Sequence, residues 1–223
     1  MKKKIYDCFN YYDEDILLDL RLNILDKVVD FFVISEAKYD YRGNPKKLNF
    51  DRNNFKQFDK KIIYLIVEKF PEKTDSWGKQ AYQRNYLLNG LGKSSLDDLI
   101  IYSDVDEIPN PKKIFDLKFE KYAIFLQKCF YYKLNLINSK IGNSWEGSRI
   151  CHRRDLKSFE ELRNDIKIKY LNYPFWRMDK EKKIKIIHSG GWHFSYLMNA
   201  EKIKQKIKTF AHTELDNNEF TNI

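Results

Sequence analysis

The 223-residue sequence has little cysteine and no long apolar run, and each shortage excludes a class of protein. Its three cysteines, Cys8, Cys129 and Cys151, form no CxxC pair, and their odd number argues against a closed disulfide framework. The longest apolar runs, such as residues 62–67, fall far short of the roughly 20 residues that span a bilayer. No apolar stretch follows the N-terminal lysines, so no signal peptide is predicted. We therefore expect a soluble, cytoplasmic protein.

The composition is that of a folded, basic protein. Hydrophobic residues make up 43% and aromatic residues 16%, which disordered chains lack. A formal net charge of +9 favours anionic partners: nucleic acid, phosphorylated small molecules or an anionic membrane surface. The excess is mostly lysine spread along the chain, and genome composition alone could produce it. We find no zinc-ligand spacing and no RNP-like motif, so no nucleic-acid partner is expected.

Short apolar runs alternate with helical patterns, which is typical of an α/β domain. The length suits one domain over residues 1–223. Strands are predicted at residues 5–9, 28–35, 62–67, 99–103, 123–136 (as one or two strands) and 184–187, after which the chain turns through residues 190–191 to residues 192–194. Helices are predicted at residues 15–25, 80–91 and 200–210, and residues 139–185 are expected to be irregular.

Two aspartates, Asp104 and Asp106, stand directly after the fourth predicted strand. Ligands of open α/β sheets collect at the carboxyl ends of strands, and alternate residues of an extended segment point the same way. The two carboxylates can therefore face one point, as Mg²⁺ or Mn²⁺ requires, and such a metal would stabilise a diphosphate leaving group. The alternative is a surface turn, because aspartate is a common turn residue.

Two further residues suit the same chemistry. His193 follows Gly190 and Gly191, and a neutral imidazole is a good Mn²⁺ ligand; the alternative is a hydrogen-bonded structural histidine. Arg84 lies on the helix before the acidic turn, where its guanidinium could bind a diphosphate; the alternative is an exposed helical arginine.

Three blocks together resemble glycosyltransferase family 17, the bisecting N-acetylglucosaminyltransferases. They are residues 15–21 (DILLDLR) with 28–36 (VVDFFVISE) and 43–46 (GNPK), residues 103–109 (SDVDEIP), and residues 190–195 (GGWHFS). The blocks occur in family order over residues 10–195. The resemblance implies a GT-A-like nucleotide-diphospho-sugar transferase fold, with a Rossmann-like domain and a central mixed sheet, that transfers a sugar with inversion.

The resemblance also implies site residues and partners. Asp104 and Asp106 would bind Mn²⁺ or Mg²⁺ and the donor diphosphate, with His193 as a further ligand. Asn10, Glu36 and Arg84 fall where such folds hold the donor, by analogy UDP-N-acetylglucosamine. The general base would be Glu107 or Glu146. Trp145, Trp176 and Trp192 could stack on sugars, although large aromatic residues are more often part of the core.

The sequence departs from the animal members of the family. It predicts no membrane anchor, has Ser103 where a second acid is expected and Phe194 where a cysteine is expected, and lacks their long C-terminal part. These departures favour a microbial or viral enzyme acting on a glycan or a lipid-linked saccharide. Three alternatives stay open: a metal-dependent phosphohydrolase, an inactive sugar-binding homologue, and a basic module whose residues 202–208 contact nucleic acid or an anionic membrane.

Overall fold

The computed structural model describes residues 3–209, which form one nine-stranded mixed sheet with helices on both faces. The strands are β1 (Ile5–Asn10), β2 (Phe31–Ala37), β3 (Ile62–Val67), β4 (Leu99–Tyr102), β5 (Glu107–Pro109), β6 (Tyr122–Tyr131), β7 (Trp145–His152), β8 (Ile184–Ile187) and β9 (Gly191–Ser195). The α-helices are α1 (Asp15–Leu25), α2 (Ser76–Tyr86), α3 (Pro111–Ile114), α4 (Phe159–Asn164) and α5 (Ala200–Thr209). Short 3₁₀ helices lie at Arg52–Phe58, Leu87–Leu91, Arg153–Asp155 and Ile168–Asn172.

The sheet has a parallel half and a mixed half. Strands β3, β2, β1 and β4 are parallel neighbours in that order, and β7 pairs antiparallel with β4. Beyond β7 lies β6, whose first half pairs with β8 and whose second half pairs with β9, while β5 closes the far edge. The parallel strands are nearly continuous apolar runs because helices cover both of their faces. This confirms the predicted α/β class with a central mixed sheet, and the arrangement is consistent with a GT-A-like fold.

Two hydrophobic clusters sandwich the sheet. On one face, α1 packs Leu18 and Leu22 against Phe9 of β1. On the other face, Phe159 of α4 packs against Tyr102 of β4. Because successive side chains of a strand point to opposite faces, each parallel strand contributes to both clusters.

Several predicted boundaries moved for local reasons. The helix at 15–25 and the strands at 62–67 and 184–187 match. The second strand starts at Phe31 because the amides of Val28 and Val29 still bond the carbonyl of Leu25 at the end of α1. Helix α2 starts at Ser76 because the Asp75 side chain caps it. The predicted end of the last helix at Phe210 lies outside the described residues.

The expectation that residues 139–185 are irregular is wrong, because they contain β7 and α4. Strand β7 lacks a clear apolar pattern because two of its buried positions are Ser148 and Arg149, although Ile150 and Cys151 are also buried. Within residues 3–209, no helix is long and apolar enough to cross a membrane.

Asp98 ties the loop before β4 to the N-terminal strand, and it makes stability depend on pH. Its carboxylate accepts hydrogen bonds from the backbone amides of Lys4 at 2.9 Å and Ser95 at 2.8 Å. Burial raises the pKa of Asp98, but these hydrogen bonds outweigh burial and the net pKa is lowered. The stabilisation is therefore complete above the pKa of the unfolded chain and is lost as pH falls through the lower folded pKa.

We expect Asp98→Asn to lower the free energy of unfolding by about 1–3 kcal/mol at neutral pH, because it weakens two charge-assisted hydrogen bonds. The difference from wild type should shrink as pH falls below about 4. Denaturant unfolding at several pH values measures this difference. A difference that does not change with pH would contradict the assignment.

Candidate active site

A buried ion pair fixes the acidic turn that follows β4. Arg21 of α1 and Asp7 of β1 are both 0% exposed. Their contact is bidentate: Nε of Arg21 donates to Oδ2 of Asp7 at 2.8 Å, and Nη2 donates to Oδ1 at 2.7 Å. The planar guanidinium suits such a pair, and two hydrogen bonds in one plane leave it little freedom to rotate.

The remaining donors of Arg21 hold the backbone of the turn. Nη1 donates to the carbonyl oxygens of Asp104 at 2.9 Å, Val105 at 3.3 Å and Glu107 at 3.0 Å. Nη2 also donates to Oγ of Ser103 at 2.8 Å. The carbonyls of Asp104 and Glu107 also accept from the Glu107 amide and from the hydroxyls of Ser103 and Ser148, so Arg21 adds to a network that holds the backbone of the turn.

A cavity of about 640 Å³ opens beside this turn, past the carboxyl ends of β1 and β4. Open α/β sheets bind ligands at that edge. The structure brings seven of the eight predicted site residues to its walls: Asn10, Arg84, Asp104, Asp106, Glu107, Glu146 and His193. The clustering of residues almost two hundred positions apart in sequence makes this cavity the candidate active site.

Glu36 is the one predicted site residue that does not line the cavity. Its carboxylate is fully buried and accepts hydrogen bonds from Nζ of Lys46, the amides of Asn49 and Phe50, and the hydroxyl of Tyr64. These bonds tether the loop that follows β2 and occupy both carboxylate oxygens. The prediction that Glu36 binds the donor is therefore corrected: it supports the loop instead.

His193 faces Asp106 across the pairing of β9 with the acidic turn. Nε2 of His193 lies 3.8 Å from Oδ2 of Asp106, and Nδ1 lies 3.5 Å from Sγ of Cys129. The ring also stacks on Trp145 with centroids 4.5 Å apart. Burial lowers the pKa of His193, but the carboxylate of Asp106 outweighs burial and raises the pKa to about 10. The imidazole is held with Nε2 directed at the carboxylate.

The two glycines before His193 let β9 approach β5. Gly191 has φ of +137°, and a Cβ added there would lie 2.1 Å from the carbonyl oxygen of Ile108. At Gly190, a Cβ would lie 2.7 Å from Cβ of Phe125. Only glycine fits at Gly191, so the backbone that delivers His193 depends on it.

Cations flank Asp104. Arg163 Nη2 donates to Oδ2 of Asp104 at 3.1 Å, and the hydroxyl of Tyr102 lies 3.4 Å from Oδ1. Arg84 in turn donates to the Tyr102 hydroxyl at 2.9 Å and to Glu160 at 3.0 Å. Burial raises the pKa of Asp104, but the charges of Arg163 and Arg84 outweigh burial and lower it. Asp104 is therefore an anion at neutral pH.

The two candidate bases differ in their surroundings. Glu107 is 1% exposed, and its oxygens accept from both terminal nitrogens of Arg163 at 2.8 and 2.9 Å and from Nε1 of Trp145 at 2.6 Å. Glu146 has a side chain that is 31% exposed, and Oε2 accepts only a long 3.3 Å bond from the amide of Ile168 while lying 3.7 Å from Arg149. Glu107 therefore orients Arg163, and Glu146 is the more accessible carboxylate.

Sequence reasoning missed the residues that hold the site together. Arg21 falls inside a block that carries the family resemblance, but no motif indicates its role, and Asp7 looks like a polar interruption of a strand. Arg163 lies in the region predicted to be irregular. Of the three tryptophans proposed to stack on sugars, only Trp145 lines the cavity, and Trp176 is exposed elsewhere.

Asp106 and His193 fit a divalent metal as a pair of ligands. Carboxylate oxygen with imidazole nitrogen is a donor set that Mn²⁺ accepts once His193 has released the proton that Asp106 stabilises, and ligand phosphates and waters would complete the shell. Among residues 3–209, no three His, Cys, Asp or Glu side chains form a ready-made metal cluster. Asp104 would have to exchange Arg163 for the metal to become a third ligand.

Comparison with known proteins decides the family. The family model for glycosyltransferase family 17 matches residues 1–222. The chain belongs to glycosyltransferase family 17. It is 25% identical over 240 residues to the rat beta-1,4-mannosyl-glycoprotein 4-beta-N-acetylglucosaminyltransferase, covering 92% of this chain and 42% of that protein. The human enzyme of the same name is 29% identical over 144 residues, covering 58% of this chain and 27% of that protein.

The family 17 chain thus spans less than half the length of these relatives. Among solved structures, it is similar to a glycosyltransferase involved in the glycosylation of the major capsid of PBCV-1. That match has a TM-score of 0.37 and 12% identity, and it covers 83% of this chain and 82% of that one.

We expect Arg21→Met to lower the free energy of unfolding by about 3–5 kcal/mol, because it leaves the Asp7 carboxylate buried and unpaired. Arg154→Met is the matched control, since Arg154 pairs with Asp97 where both side chains are at least half exposed, and it should cost less than about 1 kcal/mol. Denaturant unfolding compares the two variants. Equal decreases in the free energy of unfolding of the two variants would show that the buried pair stabilises the protein no more than the exposed pair.

We expect Gly191→Ala to destabilise the protein by more than about 2 kcal/mol, because the new Cβ meets the Ile108 carbonyl and the backbone has a positive φ. Gly92→Ala is the control, since nothing lies within 4 Å of its added Cβ, and it should be neutral or slightly stabilising. Thermal unfolding of both variants distinguishes them. A neutral Gly191→Ala would contradict the close approach of β9 to β5.

Proposed function

We propose that this chain is a metal-dependent, inverting glycosyltransferase that moves a sugar from a nucleotide-diphospho-sugar to a saccharide hydroxyl. The observation that carries the proposal is the shared cavity. Asp106 pairs with His193 and Asp104 pairs with Arg163, and all four line the cavity together with Arg84. A diphosphate is the ligand that needs both a metal site and fixed guanidinium groups.

The relatives suggest the donor and the acceptor. Two of them are named N-acetylglucosaminyltransferases, so UDP-N-acetylglucosamine is the first donor to test. The acceptor we propose is a glycan or a lipid-linked saccharide. The aromatic residues Trp145, Tyr131 and Tyr196 line the cavity and supply flat apolar faces against which sugar rings could pack.

In the proposed reaction, an acceptor hydroxyl attacks the anomeric carbon from the face opposite the diphosphate. A metal on Asp106 and His193, when bound, would neutralise charge on the departing diphosphate. Arg84 and Arg163 provide fixed positive charge for the same group, and they need no reorganisation because Glu160 and Glu107 already orient them.

Glu146 is the general base that we propose for the acceptor hydroxyl. It lines the cavity, and its carboxylate keeps acceptor capacity that Glu107 has given to Arg163 and Trp145. The proton passes from the hydroxyl to Glu146 as the new glycosidic bond forms and the bond to the diphosphate breaks.

Thermal stabilisation by a panel of nucleotide sugars, each with and without Mn²⁺, tests donor binding. Bound ligand stabilises the folded state by about 2.7 kcal/mol at a hundredfold excess over Kd. We expect one UDP-sugar to raise the Tm only when Mn²⁺ is present. Asp106→Asn should remove this metal-dependent shift, whereas Asp59→Asn, in an exposed ion pair, should keep it. The same shift in Asp106→Asn would exclude Asp106 as a ligand.

Nucleotide release from the stabilising donor tests the general base. We expect Glu146→Gln to lower kcat by roughly 10²- to 10⁴-fold while donor binding stays unchanged, because only the proton acceptor is lost. Glu161→Gln on α4, which contacts Lys157 instead of the cavity, should behave as wild type. Wild-type kcat in Glu146→Gln would assign the base to another residue.

A further inference from the structure

A group of apolar side chains stands in solvent at one turn that follows the cavity wall. Phe175, Trp176 and Met178 are 84%, 67% and 92% exposed. Scattered exposed apolar residues are normal, but these three lie within four positions and the rings of Phe175 and Trp176 are 5.2 Å apart, and such a concentration usually marks an interaction surface. We call residues 173–178 the aromatic turn.

Backbone hydrogen bonds hold the aromatic turn in this shape. The amide of Arg177 donates to the carbonyl of Pro174 at 3.1 Å, and the amide of Met178 donates to the carbonyl of Trp176 at 2.9 Å. Nζ of Lys182 also donates to the carbonyl of Pro174. The rings are therefore presented to solvent by a fixed turn, so little conformational freedom would be lost on binding.

The chain around the aromatic turn is rich in cations, of which Arg177 and Lys180 pair with Asp179 and Lys183 pairs with Glu120. Residues 167–185 contain seven lysines and arginines against two acids. Lys169 and Lys180 lie over the ring of Tyr170 at 5.6 and 5.2 Å, and Arg177 lies over the ring of Tyr173 at 5.4 Å. Apolar rings at a tip with basic side chains behind them are the pattern of a surface that enters the interface of an anionic bilayer.

We propose that the aromatic turn docks this chain on an anionic lipid surface. Phe175, Trp176 and Met178 enter the boundary between headgroups and acyl chains, and the lysines and arginines behind them contact the lipid phosphates. A protein groove would match the apolar tip, but it would not need the excess of basic over acidic residues in residues 167–185. The docking does not depend on the proposed sugar transfer.

The aromatic turn is joined to the cavity wall. Lys167 lines the cavity, and the amide of Ile168, which begins the 3₁₀ helix before the turn, bonds Glu146 at 3.3 Å. Docking therefore brings this wall close to the lipid surface. If the proposed function holds, a lipid-linked saccharide reaches Glu146 from the surface on which the chain is docked.

Co-sedimentation of the full chain with vesicles tests the proposal. One set is phosphatidylcholine, and the other is an equimolar mixture of phosphatidylcholine and phosphatidylglycerol. We expect binding to the mixed vesicles alone, with the Phe175→Ser/Trp176→Ser double variant binding about tenfold or more weakly. Phe115→Ser, at a side chain that is 72% exposed elsewhere, should bind as wild type.

A second variant separates the aromatic turn from the last helix. Lys202→Gln/Lys204→Gln removes two exposed cations of α5 and should change binding less than twofold. Loss of binding in this variant, unchanged binding of Phe175→Ser/Trp176→Ser, or no binding of wild type to mixed vesicles would each overturn the proposal. Normal nucleotide-sugar stabilisation in the serine double variant would show that its fold and donor site are intact.

Discussion

The buried pair of Arg21 and Asp7 is the interaction on which the rest of the site depends. It joins the first helix to the first strand, and its remaining hydrogen bonds fix the backbone of residues 103–107. A charge pair costs desolvation energy in a core, so apolar residues could stabilise this region equally well. Apolar residues could not donate hydrogen bonds to the Ser103 hydroxyl and to the three backbone carbonyls of the turn that Arg21 contacts. The pair therefore contributes geometry more than stability.

Paired charges also order the side chains of the cavity. Arg163 donates hydrogen bonds to the carboxylate of Glu107 and to the carboxylate of Asp104. Carboxylates and guanidinium groups thus hold one another in place before any ligand arrives, which is the preorganisation that charged intermediates require. A metal and a diphosphate would enter as a matched pair, because the cation meets Asp106 and His193 while the anion meets the arginines.

How much the sequence could predict depended on whether the signal was local. The acidic turn, the glycines before His193 and the alternation of strands and helices are local patterns, and they led to the fold class and to Asp104, Asp106 and His193. The family resemblance added cavity residues such as Asn10 and Glu146. Glu36 was predicted to bind the donor because the sequence alone does not show that a distant loop buries its carboxylate. Arg163 and strand β7 escaped because buried polar residues such as Ser148 and Arg149 do not follow an apolar period.

We propose above that the acidic turn and His193 together bind a metal and a diphosphate. A crystal structure of the chain grown with Mn²⁺ and UDP, with an anomalous difference map for manganese, tests it most directly. We expect one manganese peak bonded to Asp106 and His193, with diphosphate oxygens on the same ion and beside Arg84 or Arg163. Manganese bound away from these residues, or a diphosphate outside the cavity, would contradict it.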